Sequence, residues 1–282
     1  MDIIVLNNEN ITEYEDYIAP DAAENLSREY YRGLVVCDDT EPLAALIWEL
    51  IYYEDYDNDT EAKLIWIKVS DDAAYKDLLN EYSEMARRDG VVRTSFEFSD
   101  DELKEYKDLL ADEGFKIKEQ EGSDLMFTVG DLKLLRIAKL LKTPSYICNL
   151  GMLKNRSFRR GIVDCVYNIK RRLPEDIIRL PMEWFEPEIS CYEESDGDSN
   201  GFLLIHKCPS GRLKIELLAD WGPDAKKELV HMIAFTLKRA FEIYPDDTEI
   251  ILHRFDEPSR KLAGYFFPQL KGNVGIFGTR TE

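Results

Sequence analysis

The chain has 282 residues, 44 % hydrophobic and 33 % charged, which excludes a disordered or fibrous polymer and suits two compact domains of roughly 130–140 residues. Its net charge of −20 is unevenly spread: residues 1–130 carry 34 acids against 12 bases, residues 131–180 carry 4 against 12, and the remainder 18 against 12. Such a surface repels nucleic acid, whose binding depends on cations displacing counterions from phosphates, and draws cationic partners such as amines.

Ile3–Leu6 reads as a short strand, followed by helical stretches around Thr12–Ile18 and Ala22–Tyr31. Leu34–Cys37 and Leu43–Tyr53 are β-rich and are parted by the turn composition Asp38-Asp39-Thr40-Glu41-Pro42. An acidic loop, Glu54–Glu61, leads into the strand Leu64–Val69. In the helix Ala73–Arg88, helical spacing puts Tyr75, Leu78, Leu79, Tyr82, Met85 and Ala86 on one face. Val92–Phe98 follows as a strand with Phe96 and Phe98 on a single side. Ser99 and Glu102 have capping-box spacing, opening a helix Glu102–Ala111 that Gly114 ends. Phe115–Lys118 and Leu125–Val129 then read as a closing hairpin.

Asp131–Lys142 reads as a basic connecting helix stopped by Thr143-Pro144. The plan then repeats. Ile147–Leu150, a helix within Leu153–Arg172 and a Pro-bounded stretch Pro174–Pro187 precede a pair of strands, Ile189–Glu194 and Phe202–Cys208. After them come the strand Leu213–Leu218, the helix Ala225–Glu242, the strand Thr248–Phe255 and the helix Glu257–Phe267. This strand–helix–strand–helix block matches Leu64–Ala111 in order and spacing, so the expected domains are 1–130 and 146–282, joined through 131–145. The basic run Lys133–Arg179, with Arg156, Arg159, Arg160, Lys170, Arg171 and Arg172, is expected to dock on the acidic first half.

No apolar run reaches the roughly 20 residues of a membrane span, since Glu49 interrupts Pro42–Tyr53, and Met1–Val5 has no leader character. Five cysteines without a C-x-x-C pair (Cys37, Cys148, Cys165, Cys191 and Cys208) suit reduced thiols in the cytoplasm. The isolated His206, His231 and His253 argue against zinc. Asp196–Gly201 opens like a calcium loop but reaches Lys207 where a bidentate Glu is needed, and Asp55–Asp59 lacks the glycine, so no metal is expected.

This order of elements resembles the GNAT superfamily of acyl-CoA-dependent N-acetyltransferases, twice over. The most specific match is Asp101–Lys116, which is similar to the family's last helix running into a Gly-Phe dipeptide, here Gly114-Phe115. The resemblance implies an α/β (α+β) fold: two GNAT-like domains in tandem, each a mixed, mainly antiparallel sheet flanked by helices. It implies acetyl-CoA as co-substrate and a small-molecule or peptide amine as acceptor. The family's (Arg/Gln)-x-x-Gly-x-(Gly/Ala) pyrophosphate loop is absent from both halves. In its place the first half has Ser70-Asp71-Asp72-Ala73-Ala74-Tyr75-Lys76, with two carboxylates where a phosphate belongs. The second has Asp220-Trp221-Gly222-Pro223-Asp224-Ala225-Lys226-Lys227, where Gly222 permits close approach and Lys226 and Lys227 could neutralise phosphate. For chemistry the resemblance points to Glu216 or His253 as base and Tyr265 as acid; in the first half Leu110 stands at the family's Tyr position, with Tyr106 one turn earlier. Two functions stay open: acetyl transfer to an amine, or an inactive GNAT-like module that binds a small ligand or a protein.

Overall fold

The structure is a computed structural model that describes residues 1–52, 60–99, 101–135, 138, 142–169, 176–195, 197–254, 257–268 and 270–282. The expected acidic loop and calcium-like run at 54–59, Asp100 of the capping box, most of 136–142, the basic triplet 170–172, Pro174 and Asp196 fall wholly or partly outside those residues. The chain divides into two units, Met1–Gly122 with Asn273–Glu282, and Ser123–Gly272. The division therefore differs from the one expected at 130 and 146.

The first unit begins with β1 (Asp2–Leu6), α1 (Pro20–Glu24), β2 (Tyr31–Asp38), β3 (Glu41–Tyr52) and β4 (Thr60–Val69). It continues with α2 (Asp72–Arg88), β5 (Val91–Phe98), the short helices α3 (Asp101–Lys104) and α4 (Lys107–Asp112), and β6 (Lys116–Glu121). The helix expected over 102–111 is thus two pieces, and the early helical stretches shrink to α1 and flanking 3₁₀ turns at Ile11–Tyr14 and Asn25–Ser27. Pro20 starts α1 because its missing N–H costs nothing in a first turn.

The second unit contains β7 (Asp124–Thr128), α5 (Val129–Leu134), β8 (Ile147–Asn149), α6 (Asn155–Asn168), β9 (Cys191–Ser195) and β10 (Asp198–Lys207). After these come β11 (Leu213–Asp220), α7 (Ala225–Ile243), β12 (Glu249–His253) and α8 (Glu257–Phe266). A capping box between Thr128 and Asp131 opens α5. The last strand, β13 (Val274–Thr281), returns to the first unit.

The strand order is β1-β2-β3-β4-β5-β13-β6 in one sheet and β7-β12-β11-β10-β9-β8 in the other. The closing hairpin expected from Phe115–Lys118 and Leu125–Val129 therefore does not form. β6 pairs with β13, and β7 pairs antiparallel with β12, Asp124 opposite His253 and Thr128 opposite Glu249. β4–β5 and β11–β12 are parallel and the other pairs antiparallel, which agrees with the expected mixed, mainly antiparallel sheets; β13 and its pairing with β5 were not expected. All five cysteines are free thiols. Among the described residues no helix is long and apolar enough to cross a membrane.

Each sheet buries both faces. In the first unit α2 supplies Tyr75, Leu78, Leu79 and Tyr82 to a core with Leu46, Trp48, Leu64 and Phe96, while Tyr14, Ile18 and Leu26 cover the opposite face through Val35 and Ile47. In the second, α7 supplies Met232, Ile233 and Leu237 to one face, and α6 supplies Phe158, Ile162 and Cys165 to the other.

Candidate functional site

Both units open at the same place. The β3–β4 register slips between Ile47 and Trp48, whose partners are Trp66 and Leu64, so Ile65 is an extra residue. The β10–β11 register slips between Leu204 and Ile205, whose partners are Leu217 and Ile215, so Glu216 is the extra residue there. Each slip is a β-bulge, which bends and twists its strand. Parallel pairing with the next strand ends at that point, after Leu64–Phe96 in the first unit and Ile215–Leu252 in the second. Past it Ile65–Val69 and Glu216–Asp220 leave the parallel ladder, a splay that leads to the N-terminus of α2 or α7.

The first splay is occupied by the protein itself. The Val69 N–H donates to the Tyr106 hydroxyl at 3.3 Å, and Leu103 and Leu109 pack beside it. At the helix mouth, Asp71 accepts from the Ala73 and Ala74 amides at 2.9 and 2.8 Å. These amides are the groups a phosphate would need, and a carboxylate already holds them. The first unit does not fit the CoA pyrophosphate.

The second mouth differs. Asp224 precedes α7 without capping it through its side chain, and among the described residues no group accepts from the Ala225 or Lys226 amides. Lys226 is exposed. Lys227 is engaged, its Nζ lying 3.2 Å from Glu228 Oε1. Burial pushes the Glu228 carboxyl up, but His231, Lys227 and Tyr146 more than offset this and leave it below the ordinary value. Gly222 donates its N–H to Asp220 Oδ1 at 2.9 Å. Open amides, a glycine beside them and one exposed lysine can hold a phosphate, so the residues of the second unit fit the group. Gly222 and Lys226 stand where the sequence placed them, and Lys227 is committed to a carboxylate.

Sequence reasoning missed a half-buried acid pair at this mouth. Gly201 of β10 has Glu193 of β9 as partner on one side and Asp220 of β11 on the other. A Cβ on Gly222 would lie 3.3 Å from Asp220 Oδ1 and 3.4 Å from Glu193 Oε2. Glu193 Oε2 and Asp220 Oδ2 are both buried without a donor, an environment that disfavours a second negative charge. Burial raises Glu193 to about 7, with the negative charge of Asp220 adding to it, and burial also raises Asp220. Because the folded value exceeds the ordinary 4.5, the contribution of Glu193 to stability is fully present below about pH 4.5 and is lost as pH rises through 7. Urea midpoints between pH 5 and 8 should therefore fall more steeply for the wild type than for Asp220→Asn; equal slopes would exclude a shared proton.

The candidate chemistry residues divide. Glu216 is 8 % exposed at the bulge and pairs with Lys214 Nζ at 3.0 Å. His253 ends β12 one residue beyond the last β11–β12 pair, and its Nδ1 lies 2.5 Å from Asp124 Oδ1. Asp124, on a strand from the far side of the sequence, is a second missed residue; fixing one ring nitrogen orients the other. Glu216 and His253 thus share the mouth of the splay, whereas Tyr265 is 77 % exposed on α8. Among the described residues no group of three or more His, Cys, Asp or Glu is placed to hold a metal.

A tandem of sheets that each part at a bulged strand ahead of a helix is the tandem GNAT fold, and the chain has that fold. No protein-family model matches it, and no curated protein sequence does. Among solved structures it is similar to a tandem GNAT protein from the clavulanic acid biosynthesis pathway, with a TM-score of 0.61, 10 % identity and coverage of 99 % of this chain and 98 % of that one. It is also similar to a probable N-acyltransferase from Enterococcus faecalis V583, with a TM-score of 0.52, 11 % identity and coverage of 99 % and 72 %. A third likeness is to the C-terminal domain of a protein assigned as a lysylphosphatidylglycerol synthetase from Agrobacterium fabrum, with a TM-score of 0.54, 13 % identity and coverage of 97 % and 92 %. At these identities the likeness is one of fold.

Proposed function

We propose that this protein transfers an acyl group from acyl-CoA, acetyl-CoA in its simplest form, to an amine drawn to its acidic surface, and that the second unit holds the donor. The observation that carries this reading is the contrast between the helix mouths: Asp71 fills the first, while among the described residues no group accepts from the Ala225 and Lys226 amides at the start of α7. Bound there, the group would supply a thioester whose acyl carbon an amine can attack. Gly222, the amides of Ala225 and Lys226 and the Lys226 ammonium hold its phosphates. His253, oriented by Asp124, takes the proton from the acceptor nitrogen at Nε2, and Glu216 is the alternative base. Tyr265 keeps the acid role that the resemblance gives it.

An inactive binding module is the second reading, favoured by Glu193, Asp220, Asp224 and Glu228 crowding the α7 mouth. Calorimetry with acetyl-CoA separates the two. Micromolar binding is expected, weakened on the order of tenfold by Lys226→Glu, since reversing one charge near a phosphate changes the interaction by about 1–2 kcal/mol. Lys76→Glu, in the second turn of α2, should leave it unchanged. Thiol release with polyamines, aminoglycosides and peptides then identifies the acceptor. Binding absent to millimolar concentration rejects the transferase.

A further inference from the structure

Beneath the second splay lies an apolar cavity of about 50 Å³. Ile215 and Leu218 of β11 line it from either side of the bulge, Leu252 of β12 from the last paired position, and Ile233, Leu237 and Phe267 from the helical layer. Thr236 is the one lining residue with a polar side chain, and its hydroxyl already donates to the Ile189 carbonyl at 2.8 Å. The cavity therefore offers no free hydrogen-bonding group to a water or a polar ligand, yet it exceeds the roughly 10–15 Å³ that one water needs. Cavities of this chemistry stay dry and take hydrocarbon. Its position adds the second constraint. β11 borders the cavity at Ile215–Leu218 and, a few residues on, delivers the chain to Gly222 and the open amides of α7. One strand thus connects a hydrocarbon-accepting space with an anion-accepting helix end, the two extremes of an acyl-CoA.

We propose that this cavity takes the hydrocarbon tail of the acyl donor, so that the preferred donor carries a chain longer than acetyl. The inference rests on the acyl-transfer reading and narrows its substrate class. Each methylene moved from water into such a space strengthens binding, so octanoyl-CoA should bind at least tenfold more tightly than acetyl-CoA.

Two measurements on the full chain test it. In the first, dissociation constants are compared for acetyl-, butyryl- and octanoyl-CoA in the wild type and in Ala263→Leu, which adds bulk at the cavity wall. Rising affinity with chain length, with the octanoyl-to-acetyl ratio falling toward one in the variant, is the expected result. The second needs no CoA: octan-1-ol is titrated while the methyl resonances of Ile215, Leu218, Ile233 and Leu252 are followed. Shifts confined to these methyls support a hydrocarbon site. Unmoved methyls, or octanoyl-CoA no tighter than acetyl-CoA, overturn the proposal. Methyl shifts without binding of any CoA ester uphold the cavity as a hydrocarbon site and reject the acyl-transfer reading instead.

Discussion

Replacing Arg280 by alanine should destabilise the first unit by about 3 kcal/mol, because it strands a carboxylate in a site built for an ion pair. Arg280 and Glu282 at the end of β13 have side chains only 14 % and 9 % exposed. Arg280 Nη2 donates to both oxygens of Glu282 at 2.7 and 2.8 Å, and its Nε to Oε1 at 2.9 Å. The same guanidinium reaches Ser83 Oγ at 3.3 Å and stacks 4.9 Å from the Phe115 ring centre. Glu282 also accepts from Thr94, whose hydroxyl is 2.6 Å from the buried Tyr82 hydroxyl. Strand β13 lies between β5 and β6, so weakening its end loosens both ladders. Hydrogen exchange should show lost protection in β13 and β6 while β10 and β11 keep theirs. Glu282→Gln should cost less than Arg280→Ala, since a neutral amide still accepts from the guanidinium. A loss under 0.5 kcal/mol for Arg280→Ala would mean that the pair is screened like an ordinary surface bridge.

β13 also marks the limit of what the sequence discloses. The block Leu213–Phe267 was legible because it repeats the order and spacing of Leu64–Ala111, where the helical spacing over Ala73–Arg88 is a local signal. Which strand lies beside β5 is not local. Phe115–Lys118 and Leu125–Val129 are short, near each other and separated by Gly122, so they read as a hairpin; their real partners are more than a hundred residues away. The two acids at Asp71-Asp72 were legible as hostile to phosphate, and the structure supplies the reason in the capping bonds of Asp71. Gly222 and Lys226 were legible as a glycine and a cation opening a helix. Asp124 beside His253 and Glu193 beside Asp220 were not, since each pairing depends on strand register. The split of the expected helix 102–111 into α3 and α4 has the same character: the capping-box spacing and Gly114 gave its ends, and the break at Glu105–Tyr106 falls where Tyr106 turns its hydroxyl to Val69.

Gly201→Ala is expected to lower the stability of the second unit by about 2 kcal/mol, because the acid pair leaves no room for even one methyl group. A Cβ there would stand 2.5 Å from Asp220 Oδ2 and 3.1 Å from the Ala219 carbonyl oxygen. The carboxylate has to rotate away, which breaks its 2.9 Å bond to the Gly222 N–H and separates it from Glu193. Asp220→Ala alone should also destabilise, since it removes the acceptor of that N–H. Combined, the two changes should cost less than their sum by about 1–2 kcal/mol, because the second removes the atom with which the first collides. A urea-denaturation cycle of the four proteins at pH 6, where the pair holds its proton, measures that coupling. Strict additivity would place the obstacle at the Ala219 carbonyl and not at the carboxyl pair. A coupled result ties the smallest residue of β10 to the two acids on its flanks, and so to the charge that an anion meets on approaching α7.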